Sequence, residues 1–222
     1  MKWNIPNTLT LLRLLAAPGV AVMFLYFHRP WADWFALALF VLAALTDWFD
    51  GYLARLWKQE SKFGAMLDPI ADKAMVVIAL VIITGYSGMN PWLILPVTVI
   101  LFREVFVSGL REFLGPRATL LSVTKLAKWK TTAQMVAIAV LFLGTGLEYL
   151  EGIARQGLTT DEYASLVTQG LADPIRSCGA RGCSSYATIL GLALIWVAAG
   201  LTAITGWDYF AKSMPYLKDD RA

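Results

Sequence analysis

The chain has 222 residues, of which 58% are hydrophobic and 16% are charged, with a formal net charge of +3. A soluble domain usually carries about 25% charged residues, so this composition excludes an ordinary soluble domain and indicates an integral membrane protein. We expect no nucleic-acid partner for such a chain.

Apolar runs of about 20 residues indicate membrane-spanning helices. The sequence therefore predicts an all-α integral membrane protein with six transmembrane helices, at residues 9–27, 33–56, 64–85, 91–114, 130–150 and 185–208. Turns rich in polar, glycine or proline residues separate the first four. We expect a single membrane domain over residues 1–222, with an extramembrane insertion at about 148–184.

The lysine and arginine residues indicate the orientation of these helices. If the N-terminus is cytoplasmic, every Lys and Arg lies at or near the cytoplasmic side except Arg29, Arg155, Arg176 and Arg181. This distribution agrees with the positive-inside rule. An even number of spans then places the C-terminus in the cytoplasm as well.

The insertion at 148–184 contains one predicted short helix and both cysteines. Thr160, followed by Asp161 and Glu162, resembles a helix N-cap with acids in the first turn, which predicts a surface helix near 161–171. Cys178 and Cys183 can form one loop disulfide in an oxidising compartment. The alternative is two unpaired thiols with no role.

Four aspartates stand close together in an otherwise apolar part of the chain. Asp47 and Asp50 are three residues apart, and Asp68 and Asp72 are four apart, so each pair shares a helix face. A short hairpin at about 57–63 joins the two helices, which places both pairs at the same membrane depth. Ionisable groups in membrane segments are costly and indicate function. We expect the four carboxylates to converge.

Such a cluster would repel itself unless cations neutralised it. Oxygen ligands favour Mg²⁺, Mn²⁺ or Ca²⁺, and the lack of His and Cys argues against zinc. Two metal ions held by shared carboxylates would suit a diphosphate, with Arg55 adding a fixed positive charge. The alternative is structural ion pairing, of Asp47 or Asp50 with Arg55 and of Asp72 with Lys73.

The spacing Asp-x2-Asp-Gly-x2-Ala-Arg-x8-Gly-x3-Asp-x3-Asp, over Asp47 to Asp72, resembles the signature of the CDP-alcohol phosphatidyltransferase family at every position. The resemblance implies a six-helix membrane fold, usually homodimeric, with a polar active site facing the cytoplasm. It implies transfer of a phosphatidyl group from CDP-diacylglycerol to an alcohol with release of CMP, and two Mg²⁺ (or Mn²⁺) ions as cofactors.

The resemblance also implies roles for single residues. Asp72 would be the general base as well as a metal ligand. The other implied metal ligands are Asp47, Asp50 and Asp68. The resemblance implies that Gly51, Arg55 and Gly64 belong to the CDP-binding part, and we expect CDP-diacylglycerol to contact Asn7, Thr10, Asp47 and Asp68 as well. The residues alone allow two interpretations of Asn7, Thr10 and Arg13. They could bind the donor head group, or they could belong to a capped helix that begins at Pro6 and Asn7, with the Arg13 side chain extending to the membrane–water interface.

Further stretches are similar to the bacterial branch of the family that uses sn-glycerol 3-phosphate, in the inner (plasma) membrane, for phospholipid biosynthesis. They are Asn4–Arg13, Arg103–Glu112, Lys128–Gln134 and Trp207–Tyr209. Two features depart from that branch: the length of the 148–184 connection, and Ala127 where glycine is expected. Phosphatidylglycerol, inositol phosphate or serine are the alternative acceptors.

A phosphorylated acceptor agrees with the cations near one predicted cytoplasmic loop. Arg and Lys are the usual partners of phosphate. We expect Arg103, Arg111, Lys128 and Lys130 to bind the acceptor phosphate. The alternative is that these cations only set topology and attract anionic lipid heads.

A cation channel or transporter is the competing class, because it too would carry acids within the membrane. Internal repeats and interrupted helices near the bilayer midplane would indicate a transporter. The sequence shows neither feature, and its acids lie at the cytoplasmic end of the predicted helices.

Overall fold

The computed structural model describes residues 5–29, 31–57, 62–115, 125–155, 157–169, 171 and 186–217. Within these residues it contains helices and no strands, which confirms the all-α prediction. The helices are α1 (Ile5–Tyr26), α2 (Trp31–Trp57), α3 (Lys62–Tyr86), α4 (Pro91–Leu114), α5 (Lys125–Arg155), α6 (Thr160–Thr168) and α7 (Tyr186–Leu217). A helix stands at each predicted position, and α5 and α7 extend well beyond the predicted bounds.

Four helical segments of the described chain are long and apolar enough to cross a membrane: Asn7–Tyr26, Pro91–Leu114, Trp129–Ala154 and Tyr186–Tyr216. Trp31–Thr46 is a shorter apolar helical segment. These lengths and compositions are those of a membrane protein.

The chain forms two compact units. The first comprises Met1–Met89 and Ile138–Gly191, and the second comprises Asn90–Ala137 and Leu192–Ala222. Helices α5 and α7 therefore each contribute to both units.

In the first unit, α1 packs against both α2 and α3. The buried positions of α1 include Ala17, Val20 and Phe24, spaced three and four apart as one helix face requires. The Phe24 ring stacks 6.2 Å from that of Phe142 in α5, which in turn lies 5.8 Å from Phe40 of α2. Aromatic side chains of α1, α2 and α5 thus pack together in the core of the first unit.

A buried ion pair lies where α1 leads into α2. Arg29 donates from Nε and Nη2 to the two carboxylate oxygens of Asp33, at 2.7 and 2.8 Å, and from Nη2 to the Thr145 carbonyl at 2.8 Å. Its guanidinium also lies 5.4 Å from the ring centroid of Tyr86 and 4.6 Å from that of Tyr149. Bidentate, charge-assisted bonds of this kind fix geometry as well as adding energy.

Helix α6 confirms the predicted surface helix near 161–171, but its cap is one residue earlier than predicted. The Thr159 hydroxyl accepts from the Glu162 backbone N–H at 3.3 Å, while the Glu162 carboxylate accepts from the Thr159 N–H at 2.8 Å. This reciprocal arrangement is a capping box, with Thr159 and not Thr160 as the N-cap. Buried Tyr163 then packs edge-on against Tyr149, at 5.6 Å. Cys178 and Cys183 lie outside the described residues.

The second unit contains α4, the first part of α5 and most of α7. Asn90 caps α4 by accepting from the Trp92 N–H at 3.0 Å, and Pro91 occupies the first turn. Val107 and Leu114 of α4 pack with Tyr209 of α7 in a buried cluster. One face of α4 thus faces α7 and carries the cations considered below.

Candidate active site

The acidic motif lies on two consecutive helices of the first unit. Asp47 and Asp50 belong to α2, and Asp68 and Asp72 belong to α3. The side chains of Asp47, Asp50 and Arg55 are outside the described part of the structure. The four-carboxylate site therefore stays a prediction, and its described half is the pair on α3.

Asp68 and Asp72 are held by residues of α1. The Thr10 hydroxyl donates to Asp68 Oδ1 at 2.8 Å, and Arg13 Nη1 donates to Asp72 Oδ1 at 3.0 Å. Thr10 is 2% exposed and Arg13 is 3% exposed, whereas the Asp72 side chain is 40% exposed. The structure therefore has Asp72 paired with Arg13, a pairing not weighed from the sequence.

The donor set of this pair suits a hard divalent cation, because both groups are carboxylates on one helix face. Among the described side chains no group of three or more His, Cys, Asp or Glu residues is close enough to hold a metal ion. A complete site would therefore need the aspartates of α2 in addition to Asp68 and Asp72.

The residues predicted for donor binding occupy different environments. Asn7 is buried and lies inside α1, which begins at Ile5, within one residue of the helix start predicted at Pro6 and Asn7. Gly64 is buried in the first turn of α3, and Gly51 lies within α2. Their contribution to donor binding stays a prediction.

In the second unit, two of the predicted phosphate-binding cations share one carboxylate. Glu104 accepts from Arg103 Nη1 at 3.3 Å and also from the Lys130 ammonium. The exposed fractions of the three side chains are 16% for Arg103, 14% for Glu104 and 6% for Lys130. Glu104 thus neutralises part of the positive charge and fixes both cations.

Arg103 packs closely against α7. A Cβ added to Gly206 would lie 2.8 Å from Arg103 Cγ, so the glycine makes room for the arginine. Arg103 also borders a cavity of about 320 Å³ whose other walls are mostly aromatic, from Phe102, Phe106, Trp207 and Phe210. Its Nε is buried without a hydrogen-bond partner among the described atoms, and so is the hydroxyl of Tyr209.

Arg111 lies two turns beyond Arg103 on the same helix and is exposed. Its guanidinium stands 5.4 Å from the ring centroid of Tyr209, a cation–π contact that orients the group. The backbone of Lys128 belongs to α5, but its side chain is outside the described part. Arg103, Arg111 and Lys130 are thus the described members of the predicted phosphate-binding set.

Comparison with known proteins identifies the family of this chain. The profile of the CDP-alcohol phosphatidyltransferase family matches residues 3–168. A protein of Cereibacter sphaeroides (strain ATCC 17023), named CDP-diacylglycerol–glycerol-3-phosphate 3-phosphatidyltransferase, is 84% identical over 221 residues, covering 100% of both chains. The chain belongs to the CDP-alcohol phosphatidyltransferase family.

More distant relatives carry the same name. Proteins of Salmonella choleraesuis (strain SC-B67) and Escherichia coli (strain K12) are 46% and 45% identical over 144 residues, which are 64% of this chain and 78% of each relative. Membership of the CDP-alcohol phosphatidyltransferase family confirms the resemblance read from the acidic motif, which lies inside the matched residues.

Sequence reasoning missed the partners of the predicted CDP-alcohol phosphatidyltransferase residues. Glu104 and Gly206 were not singled out, although Glu104 follows Arg103 directly and a glycine in an apolar helix often marks a close approach. The pairing of α1 with α3 also had a visible cue. An arginine in an apolar helix is rarely buried without a partner, and Thr10 and Arg13 lie one turn apart on α1, as Asp68 and Asp72 do on α3.

Proposed function

We propose that this protein transfers the phosphatidyl group of CDP-diacylglycerol to sn-glycerol 3-phosphate, giving phosphatidylglycerophosphate and CMP in phospholipid biosynthesis. The observation that carries the proposal is the 84% identity, over the whole of both chains, to the Cereibacter protein whose name states this reaction. The acidic motif supports it, because every position of the family signature is present between Asp47 and Asp72.

In this proposal the four aspartates bind two Mg²⁺ or Mn²⁺ ions. Bound there, the ions would neutralise charge on the diphosphate and on the departing CMP. Asp72 accepts the proton of the terminal hydroxyl of glycerol 3-phosphate, whose oxygen attacks the phosphorus that carries the diacylglycerol. The bond from that phosphorus to CMP breaks. Gly51, Arg55 and Gly64, with Asn7 and Thr10, bind the CDP part of the donor.

In the same proposal the acceptor phosphate binds to cations of α4 and α5. Arg103 offers a buried Nε, and Arg111 offers an exposed guanidinium oriented by an aromatic ring. Lys130 and Lys128 add positive charge. Arginine suits this role because its planar fork matches phosphate oxygens. Holding the acceptor in a fixed place lowers the barrier by positioning, which is the main contribution in phosphoryl transfer.

The finer architecture belongs to the same proposal. We infer six membrane-spanning helices in one domain, with 148–184 as an extramembrane insertion and both termini in the cytoplasm. The protein would be a homodimer in the inner membrane of a bacterium, with its active site open to the cytoplasm and in contact with membrane lipids. The four long apolar segments of the described chain and the distribution of Lys and Arg support this topology.

CMP release by the purified protein tests the reaction. CDP-diacylglycerol and Mg²⁺ are supplied with glycerol 3-phosphate, serine, inositol phosphate or phosphatidylglycerol, one at a time. We expect release with glycerol 3-phosphate only, and loss of nearly all turnover in folded Asp72→Asn protein. Release only with another alcohol would replace the acceptor assignment, and near-normal turnover of Asp72→Asn would remove its role as base. Ion flux in liposomes without CMP release would favour a channel or transporter.

A further inference from the structure

Two residues of α1 contact the two acidic residues of α3 in register. Thr10 bonds Oδ1 of Asp68 and Arg13 bonds Oδ1 of Asp72, at 2.8 and 3.0 Å. We propose that Thr10 and Arg13 are positioning residues, which hold these two carboxylates in the orientation that binds the metal ions. The inference rests on the proposed function for the presence of a metal site, and it assigns α1 a role in building that site.

The spacing of the contacts explains why they form as a pair. Thr10 and Arg13 are one turn apart on α1, and Asp68 and Asp72 are one turn apart on α3, so one helix face meets the other. Both α1 side chains are almost fully buried, at 2% and 3% exposure, so they are themselves held by packing. A buried partner that cannot move holds a carboxylate better than a flexible surface residue does.

The carboxylates need such support because they are not buried themselves. Asp68 is exposed and the Asp72 side chain is 40% exposed. Without a partner each would rotate freely about its side-chain bonds, and binding a cation would have to overcome that loss of rotamer freedom. In metal sites, carboxylate ligands are commonly hydrogen-bonded by outer residues, whose loss costs about 10–100-fold in metal affinity or activity.

Arg13 has a further electrostatic effect. Its positive charge offsets the repulsion between the carboxylates of Asp68 and Asp72. The same charge could instead compete with a cation for the Asp72 carboxylate, and the test below distinguishes the two cases. The two cases differ in sign: a positioning residue strengthens metal binding, and a competitor weakens it.

The test measures Mn²⁺ binding directly, by electron paramagnetic resonance of free Mn²⁺, with the full-length protein in nanodiscs and no substrate. Arg13→Gln removes the ion pair, and Thr10→Val removes one hydroxyl at nearly constant shape. Arg29→Gln is the control, because it removes a buried guanidinium from a different arginine–aspartate pair of the same unit, Arg29 with Asp33. Thr10→Val decides the question alone if Arg13→Gln does not fold.

We expect the Mn²⁺ dissociation constant to rise at least tenfold in Arg13→Gln and several-fold in Thr10→Val, and to change less than twofold in folded Arg29→Gln. Arg13→Lys should recover part of the loss. At saturating Mn²⁺ the KM of Arg13→Gln for CDP-diacylglycerol should stay near its original value. A raised donor KM of Arg13→Gln under those conditions, with unchanged Mn²⁺ binding, would assign Arg13 to the donor head group instead.

Unchanged or tighter Mn²⁺ binding in both α1 variants would overturn the inference, as would absence of Mn²⁺ binding by the unsubstituted protein. Failure of the proposed function gives a different result. In that case the unsubstituted protein would bind Mn²⁺ with the expected dependence on Thr10 and Arg13, but would release no CMP with glycerol 3-phosphate.

Discussion

Gly206→Ala provides the sharpest test of the proposed acceptor site, because the three atoms nearest to a Cβ at position 206 all belong to Arg103. Replacing it with alanine would place a Cβ 2.8 Å from Arg103 Cγ. Carbon atoms in favourable contact lie about 3.5–4.0 Å apart, so the arginine or the helix must shift by roughly 1 Å. The first atoms of the Arg103 side chain would move, and the guanidinium with them.

The expected cost follows from that displacement. A misplacement of about 1 Å at a positioned group can lower the rate about 100-fold. We therefore expect Gly206→Ala to reduce kcat/KM for glycerol 3-phosphate by about 10–100-fold, which corresponds to about 1.4–2.7 kcal/mol. The loss should appear mainly as a higher KM for glycerol 3-phosphate, because Arg103 is proposed to bind the phosphate and not the reacting hydroxyl.

The assay is CMP release at varied glycerol 3-phosphate and saturating CDP-diacylglycerol, then with the two substrates exchanged. Gly200→Ala is the matched control, since it lies on the same helix and a Cβ there meets nothing within 4 Å. Equal kinetics of the two variants would refute the reasoning, as would a loss confined to the KM for CDP-diacylglycerol.

Three further predictions concern single side chains. Glu104→Gln should raise the KM for glycerol 3-phosphate by about 10–160-fold without changing that for the donor, because Lys130 would lose its carboxylate partner and a lost charge-assisted bond costs about 1.5–3 kcal/mol. An unchanged acceptor KM would contradict this. Asp33→Asn should lower the free energy of unfolding by about 3–5 kcal/mol, because it leaves buried Arg29 without its counter-charge. An unchanged thermal unfolding temperature in detergent would refute this prediction. Hydrogen bonds from the Thr159 backbone and hydroxyl lower the pKa of Glu162. The ionised carboxylate therefore stabilises α6 above the pKa that Glu162 has in the unfolded chain, and this stabilisation is lost as the pH falls through the lowered pKa of the folded state. A carbon-13 NMR titration of Glu162 that gave an ordinary or raised pKa would contradict that sign.

The fold class could be read from the sequence because it depends on local properties. Apolar runs of sufficient length predict helices in a membrane, and the structure has a helix at each of the six predicted positions. The bounds of α5 and α7 were underestimated, because a helix can continue past its apolar run where polar residues such as Lys125 or Lys212 still favour it. The α6 cap was misplaced by one residue, since Thr159 and Thr160 are adjacent and equally suited to the position.

The family also followed from the sequence alone, because the acidic motif is defined by residue types at fixed spacings along the chain. Carboxylates are the ligands that a hard divalent cation would select, and a helix places residues three or four apart on one face, so one linear pattern from Asp47 to Asp72 is informative without coordinates. The same reasoning selected Arg103 and Arg111 as two cations on one face of α4.

Only the tertiary structure decided which side chains meet across helices. The contacts of Thr10 with Asp68, of Arg13 with Asp72 and of Gly206 with Arg103 join residues more than fifty positions apart. A local pattern specifies a helix and the faces it presents, but the partner of each face depends on how helices pack, which is set by the shapes of many side chains together. The sequence thus determined which carboxylates and cations the chain presents on each helix face, and packing determined which residues of other helices contact them.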